Sequence, residues 1–241
     1  MSVNLGRPAR ALAVGAHPDD IEFGCGGTLA KWAAEGTAIT HVVCTDGSKG
    51  SWDPNQPVDE LISIRQEEQR AASRALGGTG DVVFLGYVDG ELQAGVEERR
   101  ELAAWIRKAQ PDVVFSHDPW RRYRLHPDHR HAGFLVTDSI VAARDPHFFP
   151  DLGLAPHRPS SLLLWEADEP NHVEDITAFL ERKLQALLAH RSQFRSTHHI
   201  DDPADESQVL RFRQRIADRA VEHGERDGFG HGERFRLLTD L

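Results

Sequence analysis

Two short segments concentrate the residue types that bind metals and move protons. They are Ala16-His17-Pro18-Asp19-Asp20 and Leu125-His126-Pro127-Asp128-His129-Arg130-His131-Ala132-Gly133. Imidazole and carboxylate are zinc-type ligands, and hydrolytic zinc sites take three of them and keep one position open. In the first segment one His and two Asp sit together, with Pro18 stiffening the turn. In the second, a helix opened by Pro127 puts His126 at its N-cap. His126 and His129 then share one side of the first turn, so one can bind metal while the other faces a substrate. Each segment alone also has a plain reading, since Asp19, Asp20, His126 or Asp128 can simply cap a helix. Capping explains neither the repeated His-Pro-Asp nor its recurrence at strand ends, so together the segments favour a metal site.

Such groups need a frame, and the apolar pattern supplies one. Ala11–Ala16, Ile39–Thr45, Val82–Leu85, Val113–Ser116 and Ser161–Glu166 read as buried strands. Helical spacing covers Thr28–Glu35, Asp59–Leu76, Val96–Ala109, Pro127–Ala143, Glu174–His190 and roughly Glu206–Glu222. Strands alternating with helices imply an α/β fold with a mostly parallel, doubly wound sheet. The expectation is one Rossmann-like three-layer sandwich over residues 1–241. In such sheets, sites form beyond the carboxyl ends of strands. Three expected strands end in polar segments: His17–Asp20, Thr45–Ser48 and Ser116–Asp118.

A formal net charge of −10 argues against nucleic acid or an anionic membrane as the main partner. No apolar window reaches the ~18 residues a spanning helix needs. Cys25 and Cys44 are too few for a disulfide framework. With no signal peptide in view, the expected location is a reduced cytoplasm. Gly24-Cys25-Gly26-Gly27 lacks dinucleotide-binding spacing and reads as close backbone packing, with Cys25 a small buried residue.

GAHPDDIEFGCGGTLAKWAAEG and LHPDHRHAG resemble the two signature motifs of the LmbE-like, or PIG-L-type, zinc-dependent N-acetylglucosaminyl deacetylases. Arg65 with Glu68, Leu76-Gly77, the Val83–Leu92 segment and His190-Arg191-Ser192-Gln193 are similar in order. The resemblance implies a zinc hydrolase that removes an N-acetyl group from a small N-acetylated amino sugar or its conjugate. It implies His17, Asp20 and His129 as metal ligands and Asp19 as general base toward a metal-activated water. It implies His126 as oxyanion stabiliser and acid, kept protonated by nearby carboxylates, with Asp128 orienting His126. Arg65 and Asp89 resemble positions that hold sugar hydroxyls, and His190 lies in a family-like stretch that can line the mouth. Zinc is the implied ion, and a His/Asp set also accepts Fe2+ or Mn2+.

One position departs from the family. Some members carry Tyr two residues before the second motif's first His, where this chain has Arg124 and places Tyr123 one residue off. Arg124 can face the oxyanion or an acidic substrate group, or lie in solvent. The motifs leave open an amidase acting on a larger amide such as a thiol conjugate, and a catalytically silent sugar-binding module. Retention of Asp19 and His126 speaks against the silent module. Phosphate-ester hydrolysis would favour two metals and more carboxylates. A homo-oligomer also stays open.

Overall fold

A computed structural model describes residues 1–78 and 80–241. Its strands are β1 (Ser2–Val3), β2 (Arg10–Gly15), β3 (Ala38–Thr45), β4 (Val82–Tyr87), β5 (Val113–His117), β6 (Ser161–Trp165), β7 (His172–Asp175) and β8 (Gly232–Thr239). They form a single eight-stranded sheet in the order β1-β7-β8-β6-β5-β2-β3-β4. The helices are α1 (Asp20–Ala34), α2 (Val58–Leu76), α3 (Val96–Ala109), α4 (Pro127–Arg144), α5 (Leu180–Ala189) and α6 (Glu206–Gly224). None among the described residues is long and apolar enough to cross a membrane.

Parallel pairing sets where the strand ends fall. β2 runs beside both β3 and β5, with Ala11 opposite Ile39 on one side and Val113 on the other. β6 continues parallel from β5, with Trp165 opposite His117. The carboxyl ends of β2, β3, β5 and β6 therefore share one edge of the sheet. Alternate residues point to opposite faces. Leu12, Val14, Val114 and Leu162 pack with Leu102 and Ile106 of α3 and Leu135 and Val136 of α4. Ala13, Phe115 and Leu163 pack on the other face with Ile21, Leu29 and Trp32 of α1 and Leu76 of α2. Each large apolar side chain buried this way contributes about 1.5–3 kcal/mol.

The doubly wound, mostly parallel sheet matches the sequence expectation, and the differences have local causes. The helix expected over Thr28–Glu35 is only the second half of α1, which kinks at Cys25. Glu233 of β8 caps the restarted half by accepting hydrogen bonds from the Gly27 and Thr28 amides at 2.9 and 2.8 Å. Gly24 is required there because an added Cβ would strike the Trp165 indole, and a Cβ at Gly27 would meet Ile176 at 2.7 Å. The helix expected over Glu174–His190 starts only at Leu180, because His172–Asp175 is drawn into the sheet between β1 and β8. The sequence reading missed β8, whose antiparallel pairing to β6 and β7 makes the sheet mixed.

A smaller core of Leu184, Leu187, Phe212 and Ile216 joins α5 to α6. His198 is buried against it, its ring stacked on Phe212 at 4.3 Å, with neither ring nitrogen partnered. Burial, then the charges of His190 and Arg215, push its pKa down to about 3. An unfolded His titrates near 6.5, so acid favours the unfolded chain. Stability from this neutral His is whole above pH ~6.5 and falls by up to about 1.4 kcal/mol per pH unit below it. His198→Phe is expected to flatten that acid limb. Urea midpoints of both proteins at pH 7 and pH 5 check this, and equal losses in the two would refute it.

Candidate active site

The turn after β2 is held in an unusual conformation. Asp19 adopts φ 100°, ψ −24°, a left-handed backbone that costs a non-glycine residue on the order of 1–3 kcal/mol. Two side chains of α2 hold it there. Gln69 Oε1 accepts the Asp19 amide at 3.0 Å, and Arg65 Nη2 donates to the Pro18 carbonyl at 2.8 Å. The turn closes on itself where Asp20 Oδ2 accepts the His17 amide at 2.7 Å.

α4 approaches the same edge. His126 occupies its N-cap position without any side-chain cap bond, so the capping alternative does not apply to it. His129, one turn in, brings Nε2 to 3.2 Å from His17 Nδ1 and 3.3 Å from Asp20 Oδ1. His17 Nδ1 lies 3.3 Å from Asp20 Oδ2. Four-coordinate zinc with bonds of ~2.0–2.1 Å sets its ligands about 3.3–3.4 Å apart. The three separations are close to that spacing, those to Asp20 being to its two different oxygens, and the donor set of two imidazoles and a carboxylate suits such an ion. On its far side His17 Nε2 meets Asp128 Oδ2 at 3.0 Å and Asp89 Oδ1 at 3.2 Å, as a metal-binding imidazole is commonly steadied.

The electrostatics separate the two adjacent acids. Burial raises the Asp19 pKa to about 6, against the opposing pull of Arg65. Burial also works to raise that of Asp20, but the charge of His129 and hydrogen bonds from His117 and His129 outweigh it and hold Asp20 well below the usual carboxylate range. Burial would lower the His17 pKa, yet its bonds to Asp128, Asp20 and Asp89 raise it well above the ordinary value.

A cleft of about 740 Å³ opens over this cluster. Of the residues singled out in the sequence, His17, Asp19, Asp20, Arg65, Asp89, His126 and His129 line it. Three others, Asp128, Arg124 and His190, sit differently from expectation, and His126 meets a different environment. Asp128 does not orient His126: it is fully buried and bonds His17 and the Gly90 amide, because its place on the first turn of α4 points it at the loop after β4. Burial and the neighbouring His17 and His129 lower the His126 pKa, outweighing the pull of Asp128 and Asp20. Arg124 neither lines the cleft nor lies in solvent. Its side chain is 6% exposed, with Nη2 paired to Glu166 at 2.8 Å and Nη1 at 3.0 Å from His129 Nδ1. Tyr123 points outward instead, 87% exposed. His190 is fully buried behind the site, its Nε2 at 3.3 Å from Glu22. Glu22 in turn accepts from Gln69, so His190 backs the turn from below and does not face a substrate.

The sequence reading missed Trp165, Glu166, Lys49 and Gln193, all of which line the cleft. Trp165-Glu166 ends an expected strand, so the rule about carboxyl ends could have found it. Gln193 belongs to the His190–Gln193 stretch and reaches the Gly50 carbonyl at 3.1 Å.

A family model described as PIG-L: GlcNAc-PI de-N-acetylase matches residues 12–140. Diacetylchitobiose deacetylase from Thermococcus kodakarensis is 38% identical to the chain, over 77% of the chain and 70% of that protein. A 1D-myo-inositol 2-acetamido-2-deoxy-alpha-D-glucopyranoside deacetylase from Actinosynnema mirum is 31% identical, over 79% of the chain and 83% of that protein. The solved structure of N,N'-diacetylchitobiose deacetylase from Pyrococcus horikoshii aligns with a TM-score of 0.86 at 35% identity, covering 96% of this chain and 84% of that one.

The strain at Asp19 is measurable. Asp19→Gly removes the Cβ that makes its backbone costly, so it is expected to stabilise the fold by about 1 kcal/mol in urea unfolding. Asp19→Ala removes the same buried carboxylate but keeps the Cβ, so it is expected to be about 1 kcal/mol less stable than the glycine variant. A glycine variant no more stable than the alanine one would show that no strain is held there.

Proposed function

The chain belongs to the PIG-L (GlcNAc-PI de-N-acetylase) family, and from that membership we propose that it is a zinc-dependent N-deacetylase of N-acetylglucosaminyl sugars or conjugates, built as one domain. The observation that carries the reading is the convergence of His17, Asp20 and His129 near ligand spacing, with Asp19 lining the same cleft. His17, Asp20 and His129 would hold the ion. A bound divalent cation supplies Lewis acidity and an acidified water to a site that has to cleave a poor electrophile, an amide.

The residues of the chain divide the remaining work. Asp19, with its pKa raised to about 6, is ionised at neutral pH and still basic enough to take a proton, a contribution of ~10²–10⁴-fold. His126 stands at the rim of the cleft beside His17 and His129. Its lowered pKa makes the protonated ring a stronger acid toward the leaving amine, and its N–H serves the developing oxyanion. Arg65 donates to the Gly47 and Pro18 carbonyls, so it fixes the walls between which a sugar sits. Asp89 shares its carboxylate between His17 and the Lys49 amide. The cleft lies within the roughly 300–1,000 Å³ of small-molecule sites, which leaves room for a conjugate larger than one sugar ring. The ligand is a small molecule, met away from nucleic acid and membrane.

Primary-amine release is the direct assay, on N-acetylglucosamine, N,N'-diacetylchitobiose and N-acetylglucosaminyl conjugates, with chelated and zinc-restored protein compared. Zinc-dependent release on at least one is expected, and none from protein shown to hold zinc would overturn the reading. Asp19→Asn is expected to keep the metal and lose about 10²–10⁴-fold in kcat, whereas His129→Ala is expected to lose the metal.

Arg124 gives a separate test. A guanidinium only donates, and an imidazole that offers Nε2 to a metal carries its proton on Nδ1. Arg124 Nη1 faces that Nδ1 at 3.0 Å, so zinc loading has to turn the guanidinium toward Glu166. Arg124→Met is therefore expected to tighten zinc binding by about three- to tenfold, the worth of one mismatched hydrogen-bonding contact. Weaker binding in this variant, measured against a chelating indicator, would show that Arg124 supports the ion instead.

A further inference from the structure

His117 stands close enough to be counted among the metal ligands: its ring nitrogen lies within 4.8 Å of ligand atoms of Asp20 and His129. We infer that it is not a ligand but a hydrogen-bond donor that positions the Asp20 carboxylate, and that the Trp165 indole fixes it in that role. The inference rests on the metal reading above and adds to it a residue that the two His-Pro-Asp segments do not contain.

His117, the last residue of β5, is 1% exposed. Its Nδ1 is 3.0 Å from Trp165 Nε1, contributed by the neighbouring strand where the two residues pair directly. An indole N–H donates and cannot accept, so His117 Nδ1 must present its lone pair. Arg124 Nη1, at 3.4 Å from the same nitrogen, is also only a donor and asks for the same lone pair. A neutral imidazole that accepts at Nδ1 carries its proton on Nε2. That proton points at Asp20 Oδ2, 3.2 Å away. The Ala16 amide lies 3.4 Å from the same Nε2, a longer contact to a neutral group, and the carboxylate prevails.

If His117 instead gave Nε2 to a metal, its proton would sit on Nδ1. Two N–H groups would then face each other across 3.0 Å, and the buried indole would lose its partner. His129 Nδ1 meets a similar donor in Arg124, but that long side chain can swing to Glu166, whereas the buried Trp165 indole has no other place to go; His17, Asp20 and His129 remain the ligands. His117 acts on two of them. It donates to Asp20, and its ring stacks on His129 with centroids 4.3 Å apart at 16°. Holding Asp20 Oδ2 by a charge-assisted bond fixes the carboxylate plane, and stacking limits rotation of the His129 ring. A second layer of this kind typically changes metal affinity 10–100-fold.

The test reads the tautomer and the metal affinity, neither of which depends on turnover. In long-range ¹H–¹⁵N spectra of the full-length protein, His117 is assigned by the signals lost in His117→Gln. The expected spectrum has the proton on Nε2 and a bare Nδ1, both in metal-free and in zinc-loaded protein. A protonated Nδ1 with a metal-shifted Nε2 on zinc loading would overturn the inference. Zinc affinity is measured by competition with a chelating indicator. His117→Gln keeps an N–H in reach of Asp20 and is expected to stay within about threefold of wild type, while His117→Val weakens zinc about 10–100-fold. Trp165→Phe releases the lock and is expected to show a fraction of Nδ1-protonated ring with an intermediate loss of affinity. A glutamine variant as weak as the valine variant would refute the donor role. Should His117→Val fail to fold, the wild-type spectra decide alone. Absent amine release together with the expected tautomer would count against the proposed reaction and not against this assignment.

Discussion

The carboxylate of Asp20 holds the strand edge together. It accepts the amide of His17, closes on His17 Nδ1 and His129 Nε2, and meets His117 Nε2, all within 3.3 Å. These partners come from the turn after β2, the first turn of α4 and the end of β5. Asp20 is nearly buried, and a carboxylate in such a place stays ionised only where donors or cations surround it. The geometry of every other group in the cluster follows from satisfying that one charge. The two imidazole nitrogens facing each other at 3.2 Å have one proton between them at most before repulsion sets in, and a cation relieves the same crowding.

The adjacent Asp19 shows how position alone separates two identical side chains. Burial dominates its environment and raises its pKa, while the histidines around Asp20 reverse the effect of burial there. Divergent environments of this kind are how paired carboxyl groups take different parts in one reaction. Asp19 owes its aim to a backbone conformation that it would not adopt alone. The support comes from below, through Gln69, Glu22 and His190, three fully buried polar residues linked in sequence by hydrogen bonds. His190 thus contributes to the site through the frame and not through the cleft.

The C-terminal third completes what the two His-Pro-Asp segments begin. β6 and the residue after it supply Trp165 and Glu166, α6 supplies Arg215 and Arg219 to the cleft wall, and β8 supplies the carboxylate that caps the second half of α1. Glu166 adopts a left-handed backbone with φ 57° and gathers Arg121, Arg124 and Arg219. Arg124 is drawn inward by its ion pair with Glu166. The matched family region, residues 12–140, ends before Trp165, Glu166, Arg215, Arg219 and Glu233.

Much of the frame was legible in the sequence because it is written at short range. Apolar runs of four to seven residues marked β2, β3, β4, β5 and β6, and helical spacing marked α2, α3, α4 and α6 within a few residues. The two His-Pro-Asp segments marked the chemistry, since strand-end turns and helix starts are local motifs. β7 and β8 were not legible: His172–Asp175 and Gly232–Thr239 carry charged residues and become strands only because sheet partners and Lys183 take up those groups. Nor could spacing tell that Asp128 serves His17, that Arg124 turns inward to Glu166, or that His117 meets Trp165. Each of those contacts joins residues far apart along the chain, and hydrogen-bond partnership depends on distances of a few tenths of an ångström. The sequence by itself determined which residue types reach the carboxyl edge of the sheet. Only the tertiary structure decided which of them touch, because strand pairing and helix packing bring distant turns into one site.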